Sequence, residues 1–435
     1  MISIAEIKEF GIVGAGGAGF PSYVKLSSPV EIFIVNAAEC EPLLHKDKEI
    51  LLHKTEVFLK GLNECIRLVG AKRCIIGIKG KYENLFRHLK TCCDAQIEIF
   101  PLNDYYPAGD EILLTYETTG RVVEAGRLPG TQNVLIHNVE TLYNIGKEEP
   151  VTTKFITVGG DVKNPMSLEV PIGISFREVI DAAVPNSTDF GVIVGGPMMG
   201  CLADSLDEAV TKTTGGLLVF PKDHILIRRF KTAESAKDVT AIGKSACDQC
   251  SMCTELCPRN LLGHPIQPHK IMRSLLFSAD PFEASALAAH TLFCCECNLC
   301  SLVSCPEDLY PAQACIMNKR ALMKGKVAYK GEAYNKPHPL IDYRKTPVKK
   351  VMAKLDLVRF KNHAPLVDFK HRPKQLKIML TQHIGAPAEP VVQIGEGVTA
   401  RQKIGTVGKN LGAEIHSPMD GIVAEVTERY IVIET

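Results

Sequence analysis

The chain has 435 residues, a formal net charge of +1 at pH 7, 46% hydrophobic residues and 23% charged residues. At about 150 residues per domain this length predicts roughly three domains, and the near-zero charge offers no attraction for nucleic acid or a membrane surface. No apolar run reaches the roughly 18 residues of a membrane span, and the acidic N-terminus lacks the basic region of a signal peptide. Sixteen cysteines without an export signal favour a reducing cytoplasm over a disulfide-rich secreted fold.

The glycine-rich stretch GIVGAGGAGFPSYVK (11–25) is the first candidate binding site. Glycines let the backbone approach a phosphate, whose charge the backbone N–H groups can then hold. The alternative is a bare turn, because a Rossmann-type loop normally follows a strand and only about ten residues precede this one.

Residues 1–150 have the pattern of an α/β domain. Apolar runs at 32–38 and 74–80 predict buried parallel strands. Between them, the stretch 49–70 has the three-to-four-residue spacing of a helix. Strand, helix and strand in this order predict a right-handed crossover and a parallel sheet.

Residues 151–222 predict a second, smaller domain. The stretch 153–173 reads as a hairpin of two short alternating strands around glycine, asparagine and proline. A short helix at 175–184 and the strand-like run 190–200 follow. A small sheet crossed by one helix, of β-grasp type, fits this order.

Two cysteine runs within residues 223–330 carry the most specific chemical signal. The first run reads C-x2-C-x2-C-x3-C-P and consists of Cys247, Cys250, Cys253 and Cys257. The second has four residues before its last cysteine and consists of Cys294, Cys297, Cys300 and Cys305. Such spacing brings three thiolates of one loop to a 4Fe–4S cluster, while the fourth cysteine ligates the other cluster. The sequence therefore predicts two clusters and electron transfer.

The crossed pattern assigns a ligand set to each cluster. The first cluster takes Cys247, Cys250, Cys253 and Cys305, and the second takes Cys294, Cys297, Cys300 and Cys257. The second run could also begin at Cys295, because the sequence there is CCEC. Only Cys294 is separated from Cys297 by two residues, as in the first run. The alternative, structural zinc, normally pairs two C-x2-C knuckles across a longer gap. Helices are predicted at 268–280 and 282–293.

The C-terminal part divides into a linker and a β domain. Residues 331–350 contain three prolines and many basic residues, which predicts a linker. Residues 351–435 contain strand-length runs rich in valine and isoleucine, which predict a small barrel or sandwich.

Several motifs together resemble the flavin-bearing subunit of respiratory complex I and the C subunit of the Rnf electron-transport complex. They are the glycine loop with Lys25, NAAECEP (36–42), YYPAGDE (105–111), HNVETLYNI (137–145) and GGPMMG (195–200). The barrel-like sequence at 389–426 follows the cysteines instead of preceding them, as in PduS-type cobalamin reductases of propanediol-utilisation microcompartments. The stretches NAAECEPLLHKDKEIL and LLGHPIQPHKIMR also look closer to that group, and the resemblance covers nearly the whole chain.

The resemblance implies a multidomain α/β protein. It consists of a Rossmann-like FMN and NADH domain (1–150), a soluble-ligand-binding β-grasp (SLBB) domain (151–222), a helical two-cluster ferredoxin module (223–330) and a C-terminal barrel-sandwich hybrid (351–435). The FMN contacts it implies are Gly14, Gly16, Gly17, Lys25, Asn36, Asn138 and Thr141. The residues it implies around nicotinamide and ribose are Phe20, Glu41, Asp110 and Glu111, of which the three acidic residues are the catalytic candidates.

The expected function is NADH-dependent electron transfer through FMN and two 4Fe–4S clusters to cobalamin, for a B12-dependent diol dehydratase system. The expected partners are NADH, cobalamin or a cobalamin-carrying enzyme such as an adenosyltransferase, and microcompartment shell proteins, in the cytoplasm or inside a microcompartment. Two alternatives stay open: an Rnf-like NADH-oxidising arm of another reductase, and a non-catalytic relay or scaffold. The second rests on the pair Asp110-Glu111, where complex I has Glu-Glu. A further departure is Ala37-Ala38, where complex I has Ala-Asp, and it bears on NADH binding.

Overall fold

The computed structural model describes residues 1–276, 288–330 and 336–435. The strands of its N-terminal domain are β1 (Ile32–Ala37), β2 (Arg73–Lys79), β3 (Ile97–Leu102), β4 (Tyr105–Tyr106) and β5 (Val134–Asn138). Four of them form a parallel sheet in the spatial order β3-β2-β1-β5, which confirms the predicted parallel sheet. The chain runs outward from β1 to β3 and returns to place β5 on the other side of β1. The crevice between β1 and β5 is therefore a topological switch point, where open α/β sheets bind ligands.

Helices cover this sheet, and two of them pack backbone to backbone. They are α1 (Ile4–Glu9), α2 (Ser22–Lys25), α3 (Lys46–His53), α4 (Thr55–Val69), α5 (Glu83–Cys92), α6 (Glu111–Thr119) and α7 (Val139–Lys147), with a 3₁₀ turn at Pro129–Gln132. The stretch 49–70 is helical as predicted, but it belongs to two helices: α3 ends at His53 and α4 begins at Thr55, because the backbone of Lys54 between them is not helical. A Cβ on Gly61 of α4 would lie 1.8 Å from the carbonyl oxygen of Leu142 in α7. Glycine thus permits the close approach that fixes α7 beside the sheet.

The second domain is a mixed sheet with one helix, as the β-grasp prediction expects. Its elements are β6 (Thr153–Gly160), β7 (Met166–Pro171), α8 (Phe176–Ala183), β8 (Phe190–Val194), β9 (Cys201–Leu202) and β10 (Gly216–Pro221). β6 and β7 form the predicted antiparallel hairpin, and β10 pairs parallel to β6 and antiparallel to β8.

The cysteine module consists of short helices. They are α9 (Ile225–Ala233), α10 (Ala236–Ala246), α11 (Met252–Glu255), α12 (Pro258–Leu261), α13 (Pro268–Ser274) and α14 (Pro311–Lys324), with a 3₁₀ helix at Ala289–Phe293. Residues 277–287 lie outside the described residues. They include the C-terminal end of the helix predicted at 268–280 and the beginning of the helix predicted at 282–293. The stretch Cys300–Ser304 is a π-helical turn, which accommodates one extra residue in a helix. The irregular spacing before Cys305 thus has a structural cause.

The C-terminal part is mostly β structure. Its elements are a 3₁₀ turn (Ile341–Tyr343), β11 (Thr346–Pro347), α15 (Val348–Lys354), β12 (Leu366–Val367), β13 (Gln375–Met379), β14 (Glu389–Pro390), β15 (Gly397–Val398), β16 (Lys403–Thr406), β17 (Ile415–His416), β18 (Gly421–Val426) and β19 (Tyr430–Glu434). Two sheets, β13-β19-β18-β15 and β14-β16-β17, form the predicted barrel-sandwich.

The C-terminal part is joined to the domains before it. Within the segment predicted as a linker, residues 331–335 lie outside the described residues, and β11 pairs with β4 of the N-terminal domain. β12 extends the β-grasp sheet beside β7, and the buried side chains of that sheet and the barrel form one continuous core. In the described part of the chain, every helix is too short or too polar to cross a membrane.

Candidate functional site

The glycine loop is a closed turn between Gly14 and Phe20. The Gly14 N–H donates to the Phe20 carbonyl oxygen at 2.9 Å, and the Gly19 N–H donates to the Gly14 carbonyl oxygen at 3.2 Å. Gly17 has a φ of +117°, and no atom lies within 4 Å of where its Cβ would be. The loop therefore presents bare backbone to open space, which fits the binding of a phosphate group.

The loop is attached to the start of α7. The Ala15 N–H donates to the Thr141 hydroxyl at 2.9 Å, in a buried hydrogen bond. A Cβ on Gly16 would lie 3.4 Å from the Cβ of Asn138, so the loop passes directly over this asparagine. Asn138 caps α7 by accepting from the Glu140 N–H at 2.9 Å, and its amide donates to Asp47 at 2.7 Å. Asn138 and Thr141 thus hold the loop and the helix end together.

Asn36 lies next to Asn138 in the sheet, because the two residues are register partners at the carboxyl ends of β1 and β5. The Asn36 side chain donates to the Gly109 carbonyl oxygen at 2.8 Å and accepts from the Ala38 N–H at 3.3 Å. The YYPAGDE stretch is thereby held over the switch point. The motifs at 11–25, 36–42, 105–111 and 137–145 meet at one crevice, as the family resemblance implies.

The acidic pair at the start of α6 faces two different directions. Lys25 donates to Glu111 at 2.9 Å and to the Ile136 carbonyl oxygen at 3.2 Å. Asp110 caps α6 by accepting from the Leu113 N–H at 3.0 Å, and its other oxygen accepts from Arg259 at 2.7 Å. Glu111 therefore belongs to the glycine-loop side of the crevice, whereas Asp110 contacts the cysteine module.

Glu41 lies where three domains meet. Its carboxylate accepts from the backbone N–H groups of Met198 and Met199 at 2.9 and 3.0 Å, and Tyr106 donates to it at 3.5 Å. Burial raises the pKa of Glu41 to about 7. Tyr106 also donates to the Cys297 carbonyl oxygen at 2.8 Å. These contacts join the N-terminal domain to the β-grasp loop and to the second cysteine run.

A buried ion cluster beneath the glycine loop was missed by sequence reasoning. Glu140 is fully buried; it accepts from Lys46 at 2.8 Å, from Lys154, and from the Phe155 N–H at 2.9 Å. Lys154 also donates to the Ala15 carbonyl oxygen at 3.1 Å. Burial lowers the pKa of Lys154 to about 8, with Glu140 opposing the shift. The available signals were a lysine inside the apolar strand TKFITV and the glutamate within HNVETLYNI.

The cysteines predicted to bind the first cluster surround one space. Cys247, Cys250, Cys253 and Cys305 line one pocket. Cys250 is exposed, and Cys247 and Cys305 are partly buried. The last cysteine of the second run thus lies with the first run, as the crossed pattern requires, and four cysteines around one pocket are the donor set of a 4Fe–4S cluster.

The cysteines predicted to bind the second cluster lie near one another, and both members of the Cys294–Cys295 pair lie among them. Cys257, Cys297 and Cys300 are buried there. The neighbouring Cys297 side chain and the charge of Arg259 lower the pKa of Cys295 to about 7, against the effect of burial. The Cys294 side chain lies close to Cys315 instead. Both thiols are near Cys257 and Cys300, so the choice of Cys294 stays a prediction.

Arg259 lies beside this second set of cysteines and was not singled out in the sequence. Its Nε and Nη1 atoms are buried and have no hydrogen-bond partner among the described residues. Burial opposes its charge, but Asp110 and Cys295 raise the pKa of Arg259 above its ordinary value. Unpaired buried N–H groups of a cation call for an acceptor, and cluster sulfur atoms at this position would supply one.

Comparisons with known proteins agree with this domain order. Family models match the Nuo51 FMN-binding domain over residues 7–147 and the SLBB domain over 155–202. Two further models match a 4Fe–4S dicluster domain over 246–310 and the RnfC barrel sandwich hybrid domain over 359–435.

Full-length relatives give the family. The chain is 41% identical to cobalamin reductase PduS of Citrobacter freundii, over 98% of this chain and 95% of the relative. It is 41% identical to cobalamin reductase PduS of Salmonella typhimurium, over 99% and 97%. The C subunit of the Na⁺-translocating ferredoxin:NAD⁺ oxidoreductase complex of Acetobacterium woodii is 35% identical over 58% of this chain and 56% of that relative. The chain therefore belongs to the family of cobalamin reductase PduS, and it is an oxidoreductase with an FMN-binding domain, an SLBB domain, a 4Fe–4S dicluster domain and a barrel-sandwich domain.

Proposed function

We propose that this protein oxidises NADH at an FMN held in the β1–β5 crevice and passes the electrons through two 4Fe–4S clusters to cobalamin. One observation carries the proposal. The start of α6 contacts both halves of the path, because Glu111 pairs with Lys25 beside the glycine loop and Asp110 pairs with Arg259 beside the second cysteine run.

The residues of the crevice have distinct roles in this proposal. The backbone N–H groups of the loop with Gly14, Gly16 and Gly17 hold the FMN phosphate, and Lys25 supplies a positive charge beside them. Asn36, Asn138 and Thr141 fix the crevice walls through the hydrogen bonds described above. Phe20, Glu41, Asp110 and Glu111 border the side on which NADH binds. When bound, FMN accepts a hydride as an electron pair and releases electrons singly, as clusters require.

The contacts of the cysteine module support an order for the two clusters. The second set of thiols is mostly buried and is joined to the N-terminal domain through Tyr106 and Arg259. The first set includes the exposed Cys250. Cys253 and Cys300 pack together with Ala312, so the two sets are adjacent. We therefore assign the second cluster to electron entry and the first cluster to electron exit.

The acceptor is proposed from the name of the full-length relatives. Cobalamin, free or carried by an enzyme such as an adenosyltransferase, would meet the protein at the exposed face around Cys250. A supply of reduced cobalamin to a diol dehydratase, in the cytoplasm or within a microcompartment shell, is the corresponding cellular role.

The proposal is tested anaerobically with the reconstituted protein. Mixing with NADH should bleach the flavin absorbance, and added cob(III)alamin should then be reduced to cob(II)alamin or cob(I)alamin. The Cys250→Ala variant should retain bound flavin and its bleaching by NADH but lose most cobalamin reduction. A protein with full flavin content that NADH does not bleach would contradict the NADH site. Bleaching without cobalamin reduction would contradict the acceptor.

The similarity to the Acetobacterium woodii relative favours a second candidate, an NADH-oxidising arm that serves another reductase. The same experiment separates the two functions. In the second case NADH reduces the flavin and both clusters, cobalamin stays oxidised, and a ferredoxin-like protein accepts the electrons.

A further inference from the structure

Arg259 joins two sites that are far apart in the sequence. It lies in α12, two positions after Cys257, and its side chain is 11% exposed. Its Nη2 donates to Asp110, 149 positions earlier, at 2.7 Å, and the Asp110 side chain is 13% exposed. The pair therefore lies between the start of α6 and the second set of cysteines, with little water around it.

Two of the three nitrogen atoms of the Arg259 guanidinium make no geometric hydrogen bond to the residues that the structure describes, and the group faces the second set of cysteines. Nε and Nη1 are buried without an acceptor, and the guanidinium interacts with the side chains of Cys295 and Cys297. Leaving charged N–H groups buried and unpaired is unfavourable. Cysteine thiolates and sulfide atoms at this position would accept these hydrogen bonds.

We propose that Arg259 is a positioning residue that raises the reduction potential of the second cluster, and that Asp110 opposes it through the same ion pair. The inference rests on the proposed function, because it requires a cluster on Cys257, Cys297 and Cys300. Reduction adds one negative charge to a cluster, and hydrogen bonds to its sulfur atoms and nearby charge set its potential. A buried cation with free donors favours the reduced form, whereas a nearby carboxylate disfavours it.

The opposite signs of the two effects give the test. In Arg259→Met, the second cluster should be harder to reduce by at least a factor of ten in the equilibrium constant, which is about 59 mV for one electron. In Asp110→Asn, the same cluster should be easier to reduce, because the carboxylate charge is gone while Arg259 remains. Arg259→Lys keeps the charge without the planar set of donors, and its potential should lie between those of the wild type and Arg259→Met.

The potentials are measured by EPR-monitored redox titration of the reconstituted protein. A Cys250→Ala background removes the first cluster, so that the second cluster titrates alone. A Cys297→Ala background removes the second cluster, and the potential of the first should then be the same with Arg259 or Met at position 259. A purely structural role would not shift one cluster downward in Arg259→Met and upward in Asp110→Asn.

Iron and flavin contents distinguish the possible failures. If the wild-type protein assembles no second cluster, the cluster premise of the proposed function is wrong. If the cluster is present and its potential is unchanged in Arg259→Met, or lower in Asp110→Asn, the role of Arg259 is overturned. If Arg259→Met does not assemble the cluster, Asp110→Asn decides, and the absence of an upward shift overturns the proposal.

Discussion

The N–H group of Ala15 donates a hydrogen bond to the hydroxyl of Thr141, 126 positions later in the chain, at 2.9 Å. This bond is buried, and it connects the glycine loop to the first turn of α7. Because a buried N–H group needs a partner, the position of the loop depends on a side chain that the helix supplies.

Replacing Thr141 with valine is expected to weaken FMN binding. Thr141→Val keeps the side-chain shape but leaves the Ala15 N–H group buried and unpaired, which costs about 1–3 kcal/mol. A loop that relaxes to relieve this cost must be restored on binding, so the FMN dissociation constant should rise by about tenfold. Quenching of flavin fluorescence on titration into the apoprotein measures it. Thr131→Val, which removes an exposed hydroxyl bonded to Leu128, should leave the affinity unchanged.

Two matched variants decide which cysteine of the CCEC motif ligates the second cluster. If Cys294 is a ligand of the second cluster, Cys294→Ala should lose about half of the bound iron, since one of two four-iron clusters is missing. Cys295→Ala should then retain all of it. Iron analysis and the EPR spectrum of the reduced protein measure both. The reverse result would transfer the ligand role to Cys295, whose side chain lies close to Cys297.

Local sequence patterns account for most of the fold. Strands β1 and β2, the hairpin of β6 and β7 and the C-terminal strands follow from apolar runs and alternation, which depend on each strand's own residues. The motifs of the crevice are predicted to form one site by their resemblance to the complex I and Rnf subunits, not by a local pattern. The break at Lys54 was missed because the apolar spacing continues across it, so the pattern contains no end signal.

Contacts between distant residues could not be read from one sequence. The ion pair of Arg259 with Asp110 joins the cysteine module to the start of α6, and neither residue has a neighbour in sequence that indicates the other. Glu140 was likewise unrecognised, because a glutamate is normally exposed and only tertiary packing surrounds this one with Lys46 and Lys154. The π-helical turn at Cys300–Ser304 explains the extra residue, but the spacing alone did not reveal it.

Neutralising Glu140 is expected to destabilise the N-terminal domain strongly. Glu140→Gln leaves two buried lysines without their shared anion, and breaking a buried pair in this way costs about 3–5 kcal/mol. The thermal midpoint, followed by release of bound flavin, should fall well below that of the wild type. The control is Glu148→Gln at the end of the same helix, where the partner Lys60 is half exposed and the cost is about 0–1 kcal/mol. Equal midpoints for the two variants would contradict the role given to the buried cluster.

Lys212 predicts a dependence of stability on pH. This buried lysine joins three domains, because its Nζ donates to the carbonyl oxygens of Gly11 at 2.7 Å and Glu414 at 2.8 Å. Burial lowers its pKa to about 7, and Glu414 opposes the shift. Between pH 7 and the ordinary lysine pKa of about 10.4, the unfolded chain binds a proton that the folded chain does not. The free energy of unfolding should therefore rise with pH in this range.

The size of this effect is bounded by one proton, which corresponds to about 1.4 kcal/mol per pH unit. Thermal midpoints of the wild type and of Lys212→Met, measured anaerobically at pH 7 and pH 9, isolate the contribution. The wild type should gain stability relative to Lys212→Met as the pH rises, since a neutral amine still has a hydrogen for each of the two carbonyl groups. Lys409→Met, at an exposed position of the barrel, should show the pH dependence of the wild type. A difference between wild type and Lys212→Met that stays constant from pH 7 to pH 9 would mean that Lys212 remains charged in the folded protein.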